Sequence, residues 1–298
     1  MTKEILLKLV GPFPNKASLK PVVLESIDCG EYIREKIEYS VESNERVRAY
    51  LLSPQGASGK KPAIFCHHQH SGNFNLGKSE VVGLAGDPDQ AYAVELAKRG
   101  YVTFAPDAIS FEERNVSKIP RRAEYFELSK RLVKGCTLLA KVLHDISVGL
   151  DYLESREEVD KNKIGFIGHS YGGRMAFFAP ALDKRIKASV SNCCSVNYES
   201  YMKRDLGVPV ELCVPNITEY GDIEDVVRMV EPSSLYISAA SNDKWSQDAQ
   251  KIYDRARTAF IRGELKLKIW SGEHIFTKEM RQEAYSFLDK HLKDKDVR

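Results

Sequence analysis

Three residues able to carry out acyl transfer occur in a telling order along the chain: Ser170, Asp243 and His274. Ser170 lies in Gly168-His169-Ser170-Tyr171-Gly172, a G-x-S-x-G stretch between the apolar run KIGFIG and the helix-like run YGGRMAFF. A serine hydroxyl is a weak nucleophile alone. It needs a base to take its proton and an acid to fix the tautomer of that base. A tight strand-to-helix turn aims such a hydroxyl at the carboxyl end of a sheet, and the following helix presents its N-terminus to a developing anion.

Asp243 follows the run LYISAAS and His274 follows LKLKIW, each just past a strand-like segment. The order Ser, Asp, His on such loops makes His274 the expected general base and Asp243 its orienting acid. The rival acids are Asp222 and Asp225, which precede the strand, and Glu273, whose adjacency to His274 gives poor facing geometry. His169 is expected to tuck beneath the nucleophile as a structural residue. The Tyr171 backbone N–H, directly after the serine, is an expected donor to a tetrahedral oxyanion.

These positions need a particular scaffold. EYIREKIEYSVES and RVRAYLLSP alternate polar and apolar residues and read as strands. KPAIFCHH, YVTFAPD, KIGFIG, IKASVSN, PSSLYISAAS and LKLKIW read as further strands. Helical spacing marks DPDQAYAVELAKRG, SYGGRMAFFAPAL and the closing TKEMRQEAYSFLDKHLK. It also marks the long run from Arg121 to Arg156, in which Gly135 is a candidate break. Two or three leading strands followed by alternating strands and helices imply an α/β fold: a mostly parallel twisted sheet with helices on both faces. Without repeats or a linker-like stretch, residues 1–298 are expected to form a single domain. The long stretch at 193–232 is expected to insert a cap or pocket wall. Within it Tyr198, Tyr201 and Tyr220 are candidate pocket residues, with Trp245 near the mouth of the site.

The segments CHHQHSG, KSEVVGLAGD, YAVELAKRGYVTFAPD, GHSYGG, ISAASNDKW and SGEHIF together resemble the α/β-hydrolase superfamily of serine hydrolases. The similarity is to its dienelactone-hydrolase-like and acetyl-xylan-esterase-like branches, from about Arg46 onward. Dienelactone hydrolases carry a cysteine nucleophile, so Ser170 implies cleavage of carboxylic esters in general. The resemblance also implies a second oxyanion donor. Relatives carry His-Gly-x after the early strand, and the matching His68-Gln69-His70 makes the His70 N–H that donor, with Gln69 replacing the glycine. The alternatives are a thioesterase or acyl-peptidase of the same chemistry, or an inactive fold member that binds ligand.

Composition narrows the remaining classes. With 44 basic and 42 acidic residues the net charge is +2, which gives no reason to expect nucleic acid or an anionic membrane as partner. MTKEILLKLVGPFPNK reads as neither a signal peptide nor a membrane span. The six cysteines form no C-x-x-C pair and read as reduced thiols, hence a cytoplasmic location. CHHQH holds metal-ligand residue types, but neighbours on a strand face opposite ways and no second ligand cluster is evident. No metal and no cofactor are expected, the expected partner is a small-molecule ester, and the sequence does not fix an oligomeric state.

Overall fold

The computed structural model describes residues 1–56, 59–117, 119, 121–203 and 206–294. Its strands are β1 (Val22–Asp28), β2 (Tyr32–Glu42), β3 (Glu45–Pro54), β4 (Lys61–His67), β5 (Val102–Pro106), β6 (Val159–His169), β7 (Ile186–Asn192), β8 (Ser234–Ala240) and β9 (Leu265–Trp270). Its helices are α1 (Lys3–Val10), α2 (Lys78–Val81), α3 (Tyr92–Lys98), α4 (Arg122–Leu132), α5 (Leu138–Ser155), α6 (Tyr171–Leu182), α7 (Tyr198–Lys203), α8 (Ile217–Tyr220), α9 (Ile223–Arg228), α10 (Ala249–Ala256) and α11 (Lys278–Leu292).

The strands form one sheet in the order β1-β2-β3-β5-β4-β6-β7-β8-β9. The pairs from β1 to β5 are antiparallel, and those from β5 through β4 to β9 are parallel. Parallel strands need crossovers, which the intervening helices supply on both faces of the sheet, so β4 and β6 carry apolar runs and β7 is buried at all but one residue. One buried cluster holds Phe65, Phe104, Phe166 and Leu150, and the other holds Ile64, Ile167, Tyr236 and Leu288. The alternating residues of β4 and β6 thus supply both faces.

Three local features differ from or refine the sequence reading. The apolar N-terminal stretch is a capped helix: the Thr2 side chain accepts from Ile5 N, Leu6 and Val10 are buried, and Gly11 at φ 90° ends it. Strand β1 has no counterpart in the sequence reading, because its Val22, Val23 and Leu24 are exposed at the sheet edge and do not alternate. The long helical run is two helices. Gly135 breaks it at φ 72°, and Thr137 caps α5 by accepting from Ala140 N. No helix among the described residues is long and apolar enough to cross a membrane.

Candidate active site

Ser170 stands between β6 and α6 with φ 55° and ψ −111°, a region that side chains other than glycine's avoid. Its N–H is held by Asn192 O of the neighbouring strand at 2.8 Å. The glycines around it are required by space. A Cβ on Gly168 would lie 2.3 Å from the carbonyl carbon of Gly172, and one on Gly172 would lie 2.1 Å from His67 O. The turn is therefore packed backbone against backbone. Tyr171 is the first residue of α6, where N–H groups have no partner within the helix.

The loops after β8 and β9 are tied together: Ser241 N donates to Trp270 O and Asn242 N to Gly272 O, both at 2.8 Å. This brings His274 Nδ1 to 3.1 Å from Asp243 Oδ2. The contact is close but falls short of a well-formed hydrogen bond. Asp243 also accepts from Ser246 Oγ at 2.6 Å and Trp245 N at 2.9 Å. Burial pushes its carboxyl upward, but His274, Ser246 and Trp245 outweigh that and hold it below the usual carboxylate range. Ser170 and His274 border one cleft of about 440 Å³; no hydrogen bond joins them among the described residues.

Several expectations concern neighbours of this pair. His169 is buried with its ring 4.7 Å from that of His274, and its Nδ1 accepts from Asn192 Nδ2 at 2.8 Å. Burial, then the nearby His274, holds His169 well below the ordinary histidine range, so it packs as a neutral ring. The rival acids lie elsewhere. Asp222 and Asp225 form the capping box of α9, and Glu273 is exposed.

The loop after β4 carries His70, which borders the cleft. Each histidine of CHHQH is engaged separately. His67 Nδ1 lies 3.0 Å from His68 O. His68 bridges Gln69 O through Nδ1 at 2.7 Å and accepts from Ala108 N at Nε2 at 3.0 Å. His70 Nδ1 accepts from Gly72 N at 3.1 Å, which leaves Nε2 to donate toward Glu124, 3.3 Å away. Gln69, in the glycine position, rests on Glu80 at 3.1 Å. His68 thus fixes the loop that presents His70.

Of the expected pocket residues, Trp245 borders the cleft. Tyr198 and Tyr220 do not. Tyr198 opens α7 with its N–H on Asp222, and its buried ring lines a separate hollow with Leu132 and Leu212. Tyr220 ends α8 on the outer surface, about half exposed. Tyr201 is buried behind Trp245, ring centroids 6.1 Å apart. Sequence reasoning missed Arg174 and Glu211, a buried ion pair in the cleft with Nε 2.5 Å from Oε1. One signal was available, since Glu211 is the sole charge in LGVPVELCVPNI.

A serine at a left-handed strand-to-helix turn, beside a His–Asp pair on later strand loops of a mostly parallel sheet, defines an α/β-hydrolase fold. A family model described as "Dienelactone hydrolase family" matches residues 47–290, and the chain belongs to that family. YtaP of Bacillus subtilis (strain 168) is 27% identical over 300 residues, spanning 97% of this chain and 98% of that protein. Carbohydrate esterase MZ0003, from an unknown prokaryotic organism, is 26% identical over 150 residues, covering 42% of this chain and 34% of its own. Among solved structures, acetyl xylan esterase 1 from Thermoanaerobacterium sp. JW/SL YS485 superposes with a TM-score of 0.67 at 14% identity, covering 99% of both chains.

Proposed function

We propose that this carboxylic ester hydrolase works through an acyl-enzyme on Ser170, with His274 as base and Asp243 as its orienting acid. Ser170 Oγ attacks the ester carbonyl while His274 Nε2 takes its proton. The same nitrogen then returns the proton to the leaving alcohol, and a water repeats the sequence to release the acid. The Tyr171 and His70 N–H groups hold the tetrahedral oxygen. The observation carrying this reading is the 3.1 Å approach of His274 Nδ1 to Asp243, in a cleft that Ser170 also borders.

The substrate class follows from the cleft wall. Arg174, Glu211, Glu124 and His70 set fixed donors and acceptors into a wall completed by Leu206, Val208, Val210 and Trp245. That lining suits a hydroxyl-rich ester, such as an acylated sugar, better than a long acyl chain. The partial similarity to a carbohydrate esterase supports the same choice. The 193–232 insertion, within one domain, serves as the wall, and the six free cysteines support a cytoplasmic location.

Fluorophosphonate labelling tests the nucleophile: wild type is expected to label and Ser170→Ala to remain unlabelled. Turnover of acetylated sugars, set beside p-nitrophenyl esters of increasing acyl length, tests the substrate. A kcat/KM that rises steadily with chain length would overturn the sugar-ester reading. Preference for thioesters or acyl-peptides would replace it with the sister chemistry.

A further inference from the structure

A third donor, unused by the proposed hydrolysis, stands beside the His274–Asp243 pair. Cys193 directly follows β7, has φ 53° and is fully buried. Its Sγ, a carboxylate oxygen of Asp243 and a ring nitrogen of His274 all lie within 4.8 Å of one another. The thiol lies 3.5 Å from Ile275 O and also interacts with the Ser246 side chain. His274 Nδ1 is buried without a well-formed hydrogen bond. Two other clusters of potential ligands among the described residues already hold cations of the chain. Lys141 sits with Glu42 and Asp145, and Lys78 with Asp107, Glu112 and Glu113. Among the described residues, no lysine or arginine pairs with the Cys193 cluster.

Sulfur, imidazole nitrogen and carboxylate oxygen are the donors that zinc accepts, at bond lengths of about 2.0–2.3 Å. Donors about 3–4 Å apart can share one such ion. The remaining distance is within reach of a rotation of His274, the most exposed of the three residues. We infer that Cys193, Asp243 and His274 form a site for a thiophilic divalent cation, zinc being the best match, and that filling it switches the hydrolase off. The effect on turnover rests on the proposed role of His274; the binding does not.

The chemistry balances with one proton released. The Cys193 S–H bond breaks, a sulfur–metal bond forms, and the proton leaves to solvent. Burial, then the Asp243 charge, pushes this thiol upward, and the cation offsets both by supplying positive charge next to the sulfur. Metal on Nδ1 requires the ring proton to sit on Nε2. That is the nitrogen that must accept the Ser170 proton, so the base is lost without any residue leaving the site.

The test uses the full chain. Zinc chloride is titrated against ester turnover with reversal by EDTA, and cobalt(II) binding is followed by its thiolate-to-metal absorption band. Both metals are expected to inhibit, and cobalt to give the band. Cys193→Ser is expected to keep metal-free turnover, lose the band and need about tenfold or more zinc for equal inhibition, since even outer residues of metal sites cost 10–100-fold in affinity. Cys193→Ala serves as the second variant, with thermal melting to show that each is folded. Absence of the band in wild type, or inhibition unchanged in both variants, would overturn the site. A band with full turnover would overturn the switch and the assignment of His274 as base, and leave the metal site standing.

Discussion

The turn at 168–173 and the excursion between β7 and β8 border the same cleft but are built in contrary ways. The turn is short and leaves no slack: Gly172 lies so close to His67 O that even a methyl group cannot enter. The excursion runs through three short helices, α7 to α9, and reaches the cleft with side chains. An ion pair links it to the turn, Glu211 to Arg174 on the first turns of α6. On the proposed mechanism, reaction geometry is thus held by backbone packing and substrate contact by paired side chains. Changes in the first region should act on kcat, and changes in the second on KM and substrate choice.

The largest expected effect tests the turn. Ser170→Ala should lower kcat by about 10⁶-fold and abolish any burst of released alcohol, with an unchanged fold by circular dichroism. A burst retained by this variant would move the nucleophile elsewhere. Next, Asp243→Asn should lower kcat by about 10⁴-fold, because the amide favours the wrong imidazole tautomer. Since Asp243 is held below the usual carboxylate range, it stays ionised in mild acid. Loss of kcat/KM in mild acid should therefore not come from Asp243, which a pH profile checks.

Glu211→Gln tests the excursion. It leaves Arg174 buried without its counter-charge and should cost about 4 kcal/mol in urea unfolding. The double change Arg174→Met with Glu211→Leu should recover most of that stability, yet raise KM for sugar esters with little change in kcat. Acid should weaken the turn side as well. Burial holds His67 down to about 3 and His68 to about 4. Both lie below the unfolded value, so their contribution is complete above about pH 6.5 and is lost as the pH falls toward those values. Each should cost about 1.4 kcal/mol per pH unit in that window, visible as falling urea midpoints. The smallest effect is expected at Tyr220→Ala, under about 0.5 kcal/mol with unchanged kinetics, because the ring lies on the surface outside the cleft.

The same contrast explains what could be read in the sequence. The Ser170 turn, Asp243 and His274 were legible because each is fixed by the strand immediately before it. The alternation of strands and helices likewise announced the parallel sheet. Strand β1 was not legible, since an edge strand exposed on both faces imposes no alternation. Tyr198 and Tyr220 were misplaced as pocket residues because no strand fixes where the excursion turns. That is decided by Asp222, whose carboxylate caps α9 and holds the Tyr198 N–H. Arg174 and Glu211 meet across 37 positions of chain, and spacing alone does not announce such a contact.

The left-handed backbone at Ser170 has a consequence for how the protein carries its own activity. Strain of this kind costs about 1–3 kcal/mol wherever a side chain occupies it, and glycine escapes most of it. Ser170→Ala keeps the Cβ and so keeps the strain. Ser170→Gly removes it, and the chain should then melt at a higher temperature than either the alanine variant or the wild type. A population selected for thermal endurance alone would drift toward glycine at this position and fall silent. With Ser170 in its proposed role, the hydroxyl persists only where turnover is demanded, and robustness and usefulness pull the same backbone in opposite directions.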